Sequence, residues 1–256
     1  MVDERGRIEE IRDFGARYVC IKIRAEAVAA EAKPGNFVMT RPVGATDPLL
    51  RRPFGILKAS GPHIWLYFQI LGKGTAALAS LKPGEEMDIL GPLGNGFPEH
   101  QQQNILLIAG GRGIVPLFFY AERFAGANSI HLIYGGRGKS DLNLLAEIRS
   151  LPLKNMFLFS EEGTLGKRGI ATQEVEEIIG DQHIGITFSC GPVPMLRRLA
   201  GMLHPLPTVD LVSLEAFMGC GFGACHSCVV KTFSGSYRRV CVDGPVFSLG
   251  DIAWSI

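Results

Sequence analysis

The sequence predicts an α+β protein of three parts: an N-terminal antiparallel β domain, a parallel-sheet α/β domain and a C-terminal metal-binding segment. Residues 1–98 contain short strand-like runs separated by turn residues, which is typical of a barrel or a sandwich. Residues 99–212 alternate strands with helices, the pattern of a parallel sheet covered on both faces. Residues 213–256 hold four of the six cysteines.

The individual elements follow from local patterns. In the β domain, residues 17–24 alternate polar and apolar side chains, and a Ser60-Gly61-Pro62 turn separates strands at 56–59 and 64–70. In the α/β domain, apolar runs followed by helical patterns predict four strands, at residues 104–109, 129–135, 155–160 and 184–190. The helices that follow them are predicted to include residues 142–150, 171–179 and 191–202.

Composition and charge exclude several classes of protein. The formal net charge of +1 over 256 residues argues against a nucleic-acid partner held by bulk electrostatics. The charged N-terminus contains no apolar signal region, and no apolar run reaches the length of a membrane span. We therefore expect a cytoplasmic protein with neither nucleic acid nor membrane as a partner, and we expect Cys20 and Cys190 to be buried free thiols.

The cysteine segment is the strongest chemical signal. Its spacing is C-x4-C-x2-C-x12-C, which is the plant-ferredoxin order for a [2Fe–2S] cluster. The intervening glycines allow backbone N–H groups to approach the sulfides. Structural zinc and disulfides are the alternatives, although zinc sites more often use two C-x2-C pairs. The predicted ligands are Cys220, Cys225, Cys228 and Cys241. Because such a cluster carries single electrons, the pattern indicates an electron carrier.

Two turns of the α/β domain are candidates for binding a nucleotide. The first is the glycine-rich turn that begins with Gly110 and Gly111 and continues through Gly113 into a helix. The second contains Gly191 and Pro192, directly after the fourth predicted strand. Ligands of such sheets bind at the carboxyl ends of the strands, so we expect both turns at one edge. An ordinary tight turn is the alternative for each.

The β domain contains two further candidate segments. Arg51 and Arg52 precede Pro53, and paired arginines suit a pyrophosphate, while Phe54 offers an aromatic face. The alternative is a strand edge with solvated arginines. A second glycine loop ends in Thr75, which resembles an N-cap residue before a helix. Residues 91–98 are interpreted as a hinge between the two domains.

Together these motifs resemble the ferredoxin–NADP reductase superfamily, whose members combine a β-barrel with G-G-x-G-x-x-P and C-G-P-x-P-M turns. The resemblance covers nearly the whole chain. Pro34-Gly35-Asn36, the run Leu50-Arg51-Arg52-Pro53 and the ending Cys241-Val242-Asp243-Gly244-Pro245 are similar to the electron-transfer subunits of class 1B dihydroorotate dehydrogenases. The resemblance implies FAD, NAD and one [2Fe–2S] cluster, and a heterotetramer with an FMN-containing dihydroorotate dehydrogenase catalytic subunit.

The resemblance also implies positions for the cofactors. FAD would contact a set of barrel residues: Arg52, Pro53, Phe54, Gly55, Gln69, Ile70, Leu71, Gly74 and Thr75. NAD would lie against glycine-rich backbone at Gly110, Gly111, Gly113, Gly191 and Pro192. The four cysteines would ligate the cluster. The sequence contains no apparent Ser/His/Asp or paired-carboxylate constellation, so we assign no acid–base catalyst to this chain and expect the cofactors to supply most of the chemistry.

Two residues depart from the family pattern. Gly55 stands where the family usually has Ser or Thr, and Arg112 stands where small or apolar residues are usual. An acidic turn at Glu161 and Glu162 follows the third predicted strand, and a carboxylate there favours NADH because it repels a 2′-phosphate. A solvated acidic turn is the alternative interpretation.

Two other functions fit the same motifs. One is a reductase subunit of this architecture that serves a hydrogenase, a transhydrogenase or a sulfur-reducing partner. The other is a non-catalytic, metal-stabilised module that binds nucleotide without turnover. Flavin, iron and sulfide in the purified protein would distinguish an electron carrier from this second alternative.

Overall fold

The first part of the chain forms a closed antiparallel barrel. A computed structural model describes residues 1–254. The barrel strands are β1 (Val2–Gly15), β2 (Tyr18–Arg24), β3 (Phe37–Pro42), β4 (Arg52–Ser60), β5 (His63–Gln69) and β6 (Glu86–Leu93). They pair in the order β1-β2-β5-β4-β3-β6, which closes the sheet. Two short helices, α1 (Glu26–Glu31) and α2 (Lys73–Ala79), lie in the connections between strands. The structure therefore confirms the antiparallel barrel.

The first strand was not predicted from the sequence. Strand β1 has 14 residues, most of them polar, and only Gly6 and Ile8 are buried. A Cβ atom at Gly6 would lie 2.6 Å from Cγ2 of Ile23, so the absence of a side chain allows β1 to close against its neighbours. Since most of its side chains face solvent, this strand shows little hydrophobic periodicity.

The second part is a mostly parallel sheet with helices packed on it. Its strands are β7 (Asn104–Gly110), β8 (Ser129–Gly136), β9 (Asn155–Ser160), β10 (Lys167–Arg168), β11 (Ile186–Cys190) and β12 (Val209–Ser213). Its helices are α3 (Ile114–Phe124), α4 (Leu145–Ile148), α5 (Val175–Asp181) and α6 (Val193–Leu203). The four predicted strands are present, and the sheet gains β10 and β12 at its two sides.

The cysteine segment is joined to this sheet. It forms a hairpin of β13 (Val229–Lys231) and β14 (Tyr237–Arg239), followed by β15 (Val246–Ser248). Strand β15 pairs antiparallel with β12 and completes the order β10-β9-β8-β7-β11-β12-β15. Residues 255–256 of the predicted segment 213–256 lie outside the described residues. The boundaries after residues 98 and 212 stay a prediction.

Shared hydrophobic cores hold the three parts together. One core combines Tyr18 and Tyr67 of the barrel with Tyr134 and Phe188 of the sheet. The rings of Tyr18 and Tyr67 stack at 5.4 Å between centroids. A second core combines barrel side chains, including Met39, with sheet residues and with the two buried cysteines of the segment. Within residues 1–254, no helix has both the length and the apolar character needed to cross a membrane.

Candidate functional site

The two predicted nucleotide turns meet at the carboxyl edge of the sheet. Strands β7 and β11 are parallel neighbours, with Ala109 opposite Cys190. A Cβ atom at Gly113 would overlap the carbonyl oxygen of Cys190, and one at Gly110 would lie 2.8 Å from Sδ of Met195. Glycine is therefore required for the two turns to pack against each other. Gly111, which lies in the first turn between Gly110 and Gly113, has a φ of +51°.

The predicted flavin segments meet at one end of the barrel. Strands β4 and β5 are antiparallel, so Arg52 at the start of β4 and Gln69 at the end of β5 lie at the same end. Gly74 in α2 packs on Arg52, since a Cβ atom at Gly74 would lie 2.7 Å from Nε of Arg52. The Arg52 guanidinium donates from Nη1 to the carbonyl oxygen of Leu50 at 2.7 Å. Arg52 is thus held in place beside a bare stretch of backbone.

The hydroxyl of Thr75 is used within its own loop. It accepts from the N–H groups of Leu71 at 2.9 Å and Gly72 at 3.1 Å, and it donates to the carbonyl oxygen of Gly72 at 2.9 Å. The interpretation of Thr75 as an N-cap residue was wrong, because α2 begins at Lys73 and its N-cap is Gly72. A threonine in the first turn can bond backward to the cap, and the sequence pattern does not separate the two positions. The hydroxyl therefore holds the shape of the loop.

Both departures from the family pattern lie where the barrel meets the glycine-rich turn. A Cβ atom at Gly55 would lie 3.2 Å from Cγ1 of Val115, which is tighter than ordinary contact. Arg112 donates from Nη1 to Oε1 of Gln69 at 2.9 Å. Its Nη2 lies 4.0 Å from Oε2 of Glu215. Sequence reasoning gave Glu215 no role, since its side chain reaches Arg112 only in the folded chain.

The four cysteines of the C-terminal segment are held in two neighbouring pairs. The N–H group of Cys225 points to Sγ of Cys220 at 3.5 Å. Hydrogen bonding by Ser227, reinforced by Cys220, lowers the pKa of the exposed Cys225 to about 6. Burial, together with the neighbouring Cys228 thiol, raises the pKa of Cys241 to about 12. Cys228 and Cys241 are both buried, with 3% and 2% exposure.

The loop around these thiols is compact. A Cβ atom at Gly219 would lie 3.3 Å from Sγ of Cys225, and Gly223 adopts a φ of +88° that favours glycine. The Ser227 hydroxyl lies 3.2 Å from the same sulfur. Within residues 1–254, no group of three or more His, Cys, Asp or Glu side chains is gathered around a single ion position. Cys20 and Cys190 are buried free thiols, as predicted.

The cysteine loop packs directly on the barrel. A Cβ atom at Gly221, next to Cys220, would overlap Cγ of Met39 and lie 3.1 Å from Cδ1 of Leu93. Met39 is fully buried on β3, directly opposite Pro53 on β4. The loop that carries the first cysteine therefore touches the strand beside the predicted flavin segment. Sequence reasoning missed Met39, which gives only the signal of an ordinary core residue.

The stretch predicted as a hinge is tied to the cysteine segment. The amide of Asn95 donates to the carbonyl oxygens of Asp243 at 3.2 Å and Val246 at 3.1 Å. It accepts from the N–H group of Val246 at 3.0 Å. A Cβ atom at Gly94 would lie 2.9 Å from the carbonyl oxygen of Gly244. Residues 94–95 thus serve as an anchor for the segment that ends in β15.

Large apolar side chains are exposed around the cysteine loop. Phe217 and Phe222 are 95% and 50% exposed, whereas Met218 is half-buried. The hairpin adds Phe233 and Tyr237, which are 85% and 66% exposed. Exposed apolar side chains at this density are typical of a surface that binds a partner.

Comparisons with known proteins agree with this geometry. Residues 215–253 match the model of the iron-sulfur cluster binding domain of dihydroorotate dehydrogenase B. The chain is 34% identical, over 97% of its length and 98% of the relative, to the dihydroorotate dehydrogenase B (NAD(+)) electron transfer subunit of Geobacillus thermodenitrificans. The subunit of the same name from Caldanaerobacter subterraneus is 36% identical, with 84% of each chain covered. The chain belongs to the family of dihydroorotate dehydrogenase B electron transfer subunits.

Solved structures extend the comparison. An NADH-dependent reduced ferredoxin-NADP oxidoreductase, described in a study of flavin-based electron bifurcation, superposes with a TM-score of 0.87 at 26% identity. That comparison covers 97% of this chain and 90% of the other. A ferredoxin NADP+ reductase from Neisseria gonorrhoeae with bound FAD and NADP has a TM-score of 0.65 at 13% identity, which shows the shared fold.

The residues present fit the cofactors of this family. A [2Fe–2S] cluster takes four cysteine thiolates, and the two pairs, Cys220 with Cys225 and Cys228 with Cys241, supply four thiols. Thiolates are the ligating form, which the hydrogen bonds at Cys225 favour. At the carboxyl edge of the sheet, Gly111 has no atom within 4 Å of a built Cβ, which leaves room for a phosphate group beside its backbone.

Proposed function

We propose that this subunit carries electrons between NAD and the FMN-containing catalytic subunit of a dihydroorotate dehydrogenase. The observation that carries the proposal is the contact between Gly221 and Met39, because it joins the cysteine loop to the barrel strand beside Pro53. Bound FAD would exchange a hydride with NAD, and a bound [2Fe–2S] cluster would pass single electrons. This activity serves pyrimidine biosynthesis.

The barrel residues have the task of binding and orienting the flavin. We propose that Arg52, with Pro53, Phe54 and Gly55, lines one side of it, since these residues begin strand β4, which packs against α3 of the α/β domain at Gly55. The segment Gln69-Ile70-Leu71, with Gly74 and Thr75, would line the end of the barrel. The internal bonds of Thr75 keep this loop in one shape before a ligand arrives.

The α/β domain has the task of binding the dinucleotide. Gly110, Gly111 and Gly113 on one turn, with Gly191 and Pro192 on the other, would approach it with backbone alone. The acidic turn at Glu161 and Glu162 follows β9 at the same edge and would favour NAD over NADP. The shared apolar core between barrel and sheet excludes water from the base of this junction.

The partner would meet the surface around the cysteine loop. We propose a heterotetramer with two chains of each kind in the cytoplasm, in which Phe217 and Phe222 are covered by the catalytic subunit. A reductase subunit that serves another partner is the second candidate. The 0.87 TM-score with the NADH-dependent reduced ferredoxin-NADP oxidoreductase favours it, since that fold supports a different reaction.

Anaerobic purification tests the proposal. We expect yellow-brown protein with FAD and about two irons and two sulfides per chain, and NADH should bleach both chromophores and produce an EPR signal of a reduced cluster. Cys220→Ala should remove iron and leave the flavin. Cys20→Ala is the matched control, because Cys20 is a buried thiol of the barrel and should leave the iron content unchanged.

Three results would overturn parts of the proposal. Colourless protein loaded with zinc would reject the electron carrier and support the metal-stabilised module. NADH that fails to bleach the flavin would reject the dinucleotide assignment. Co-purification of a partner without FMN or dihydroorotate oxidation would favour the second candidate.

A further inference from the structure

Arg112 contacts all three parts of the molecule. Its backbone lies in the glycine-rich turn after β7, and its Nη1 donates to Gln69 at the end of the barrel at 2.9 Å. Its Nη2 lies 4.0 Å from Glu215, the first residue of the matched iron-sulfur domain. The side chain therefore stands at the junction that the dinucleotide and the flavin would share.

The contact with Glu215 is weak by its geometry. At 4.0 Å it exceeds hydrogen-bond distance, and the Glu215 side chain is 65% exposed. Ion pairs of this kind contribute little because water screens them. A guanidinium has five N–H donors, and the described hydrogen bonds of Arg112 use one of them. The bond to Gln69 can therefore persist while Glu215 is replaced by a stronger acceptor.

The acceptor that suits this position is a diphosphate. Next to Arg112, Gly111 leaves open space at the carboxyl edge of the sheet, and an arginine fork binds phosphate oxygens with two parallel bonds. Asp141, which follows the neighbouring strand β8, accepts from Nε of Arg137 at 2.9 Å. Hydrogen bonding to Arg137 lowers the pKa of Asp141, and the charge of Arg112 adds to this effect at longer range.

We propose that Arg112 is a specificity-determining residue that exchanges Glu215 for the diphosphate of the dinucleotide and remains bonded to Gln69. The exchange couples dinucleotide binding to the flavin segment of the barrel and releases the carboxylate of Glu215 at the start of the cluster segment. This inference rests on the proposed function. It predicts that loss of the Arg112 charge weakens binding of the dinucleotide and that loss of the Glu215 charge strengthens it.

Ligand binding to the FAD- and cluster-loaded protein tests the exchange. Arg112→Ala should raise the dissociation constants of NADH and ADP-ribose about tenfold, the loss expected for one charge-assisted contact. The dissociation constant of adenosine should not change, because adenosine lacks the diphosphate. Arg112→Lys should recover part of the loss, since it keeps the charge without the fork. Glu215→Gln should lower the dissociation constant of NADH about twofold, because it removes the competing charge.

A second arginine supplies the matched control. Arg123, in the last turn of α3, also joins the sheet domain to the barrel, since its Nη1 donates to the carbonyl oxygen of Ala32 at 3.1 Å. Arg123→Ala should leave all three dissociation constants unchanged. In steady state, Arg112→Ala should raise KM for NADH more than it lowers kcat, whereas loss of a purely structural contact would lower the melting temperature and leave KM unchanged.

The outcomes separate the inference from the proposed function. If wild-type protein binds NADH and Arg112→Ala binds it equally well, or if Glu215→Gln weakens binding, the exchange is wrong and the function stands. If loaded wild-type protein binds neither NADH nor ADP-ribose, the proposed function itself fails.

Discussion

The barrel makes two contacts of different character. Toward the glycine-rich turn it presents side chains, in which Gln69 meets Arg112 and an apolar core lies beneath them. Toward the cysteine segment it presents close backbone packing, in which Gly221 lies on Met39 and Gly94 lies on Gly244. The first contact leaves room for adjustment, because Arg112 has donors besides the one bonded to Gln69 and long polar side chains rotate at small cost. The second has no such freedom, because any added side chain overlaps its neighbour.

This difference matches what each contact has to do. A dinucleotide must enter and leave, so the surface it uses has to rearrange. A cluster must remain at one distance from the flavin, so its loop is best held by packing that admits one geometry. The three predictions that follow challenge the rigid contact first and the adjustable contact last.

The largest effect is expected for Gly221→Ala. The residue has a φ of +85°, which costs about 1–2 kcal/mol for a residue with a Cβ atom. The new Cβ would also overlap Met39, and overpacking adds about 1–3 kcal/mol. We expect the protein to lose iron and sulfide and to retain flavin, which metal analysis and the visible spectrum measure together.

The control for this variant lies in the same segment. Gly235 has a φ of +86° but no atom within 4 Å of a built Cβ, so Gly235→Ala carries the backbone cost without the overlap. It should keep its iron. Met39→Ala should make Gly221→Ala less damaging, as a double-mutant cycle would show. Full iron content in Gly221→Ala alone would contradict rigid docking.

An intermediate effect is expected for Asn95→Ala. The change removes three hydrogen bonds to the cysteine segment, and because Asn95 is itself exposed we expect a cost of about 1–2 kcal/mol. In a urea titration, the cluster absorbance should disappear at a lower urea concentration than the flavin signal. The wild-type protein should lose the two signals closer together.

Asn128→Ala is the matched control for Asn95. Its amide also takes part in three hydrogen bonds, with Gln103 at 3.1 Å, His100 at 2.8 Å and Phe124 at 3.1 Å, all inside the α/β domain. This variant should lower stability without separating the cluster and flavin signals. If both variants shift the two signals together, the anchoring role of Asn95 is wrong.

The smallest effect is expected for Gly55→Ala. Replacing glycine inside a strand gains about 0.5–1 kcal/mol, but the new methyl group would press on Val115 at 3.2 Å. The two terms are similar, so the single variant should change the free energy of unfolding little. In a Val115→Ala background the same change should be stabilising, with a coupling of about 0.5–1 kcal/mol in thermal unfolding. If the effects of the two substitutions on the free energy of unfolding are strictly additive, the barrel and the α/β domain do not touch at Gly55.

Local signals predicted much of this molecule. The cysteine spacing, the glycine-rich turn and the alternation of strands with helices each lie within a few dozen residues, so short-range chemistry is enough to interpret them. The four central strands and the barrel were found in this way. Strand β1 was not, since most of its side chains face solvent and one of its partners, β6, lies far along the chain. The N-cap of α2 was placed at Thr75, three residues after the observed Gly72, because cap and first-turn threonines share one pattern.

The order of residues along the chain determined which chemistry the protein can perform: sulfur ligands for iron, and bare backbone for phosphate. Folding decided how these groups are connected. Asn95 and Val246 are 151 residues apart along the chain, yet they share two hydrogen bonds. Arg112 and Gln69 are separated by 43 residues. Such pairs leave no local trace, because closing a long loop depends on the whole hydrophobic core rather than on the residues that finally meet.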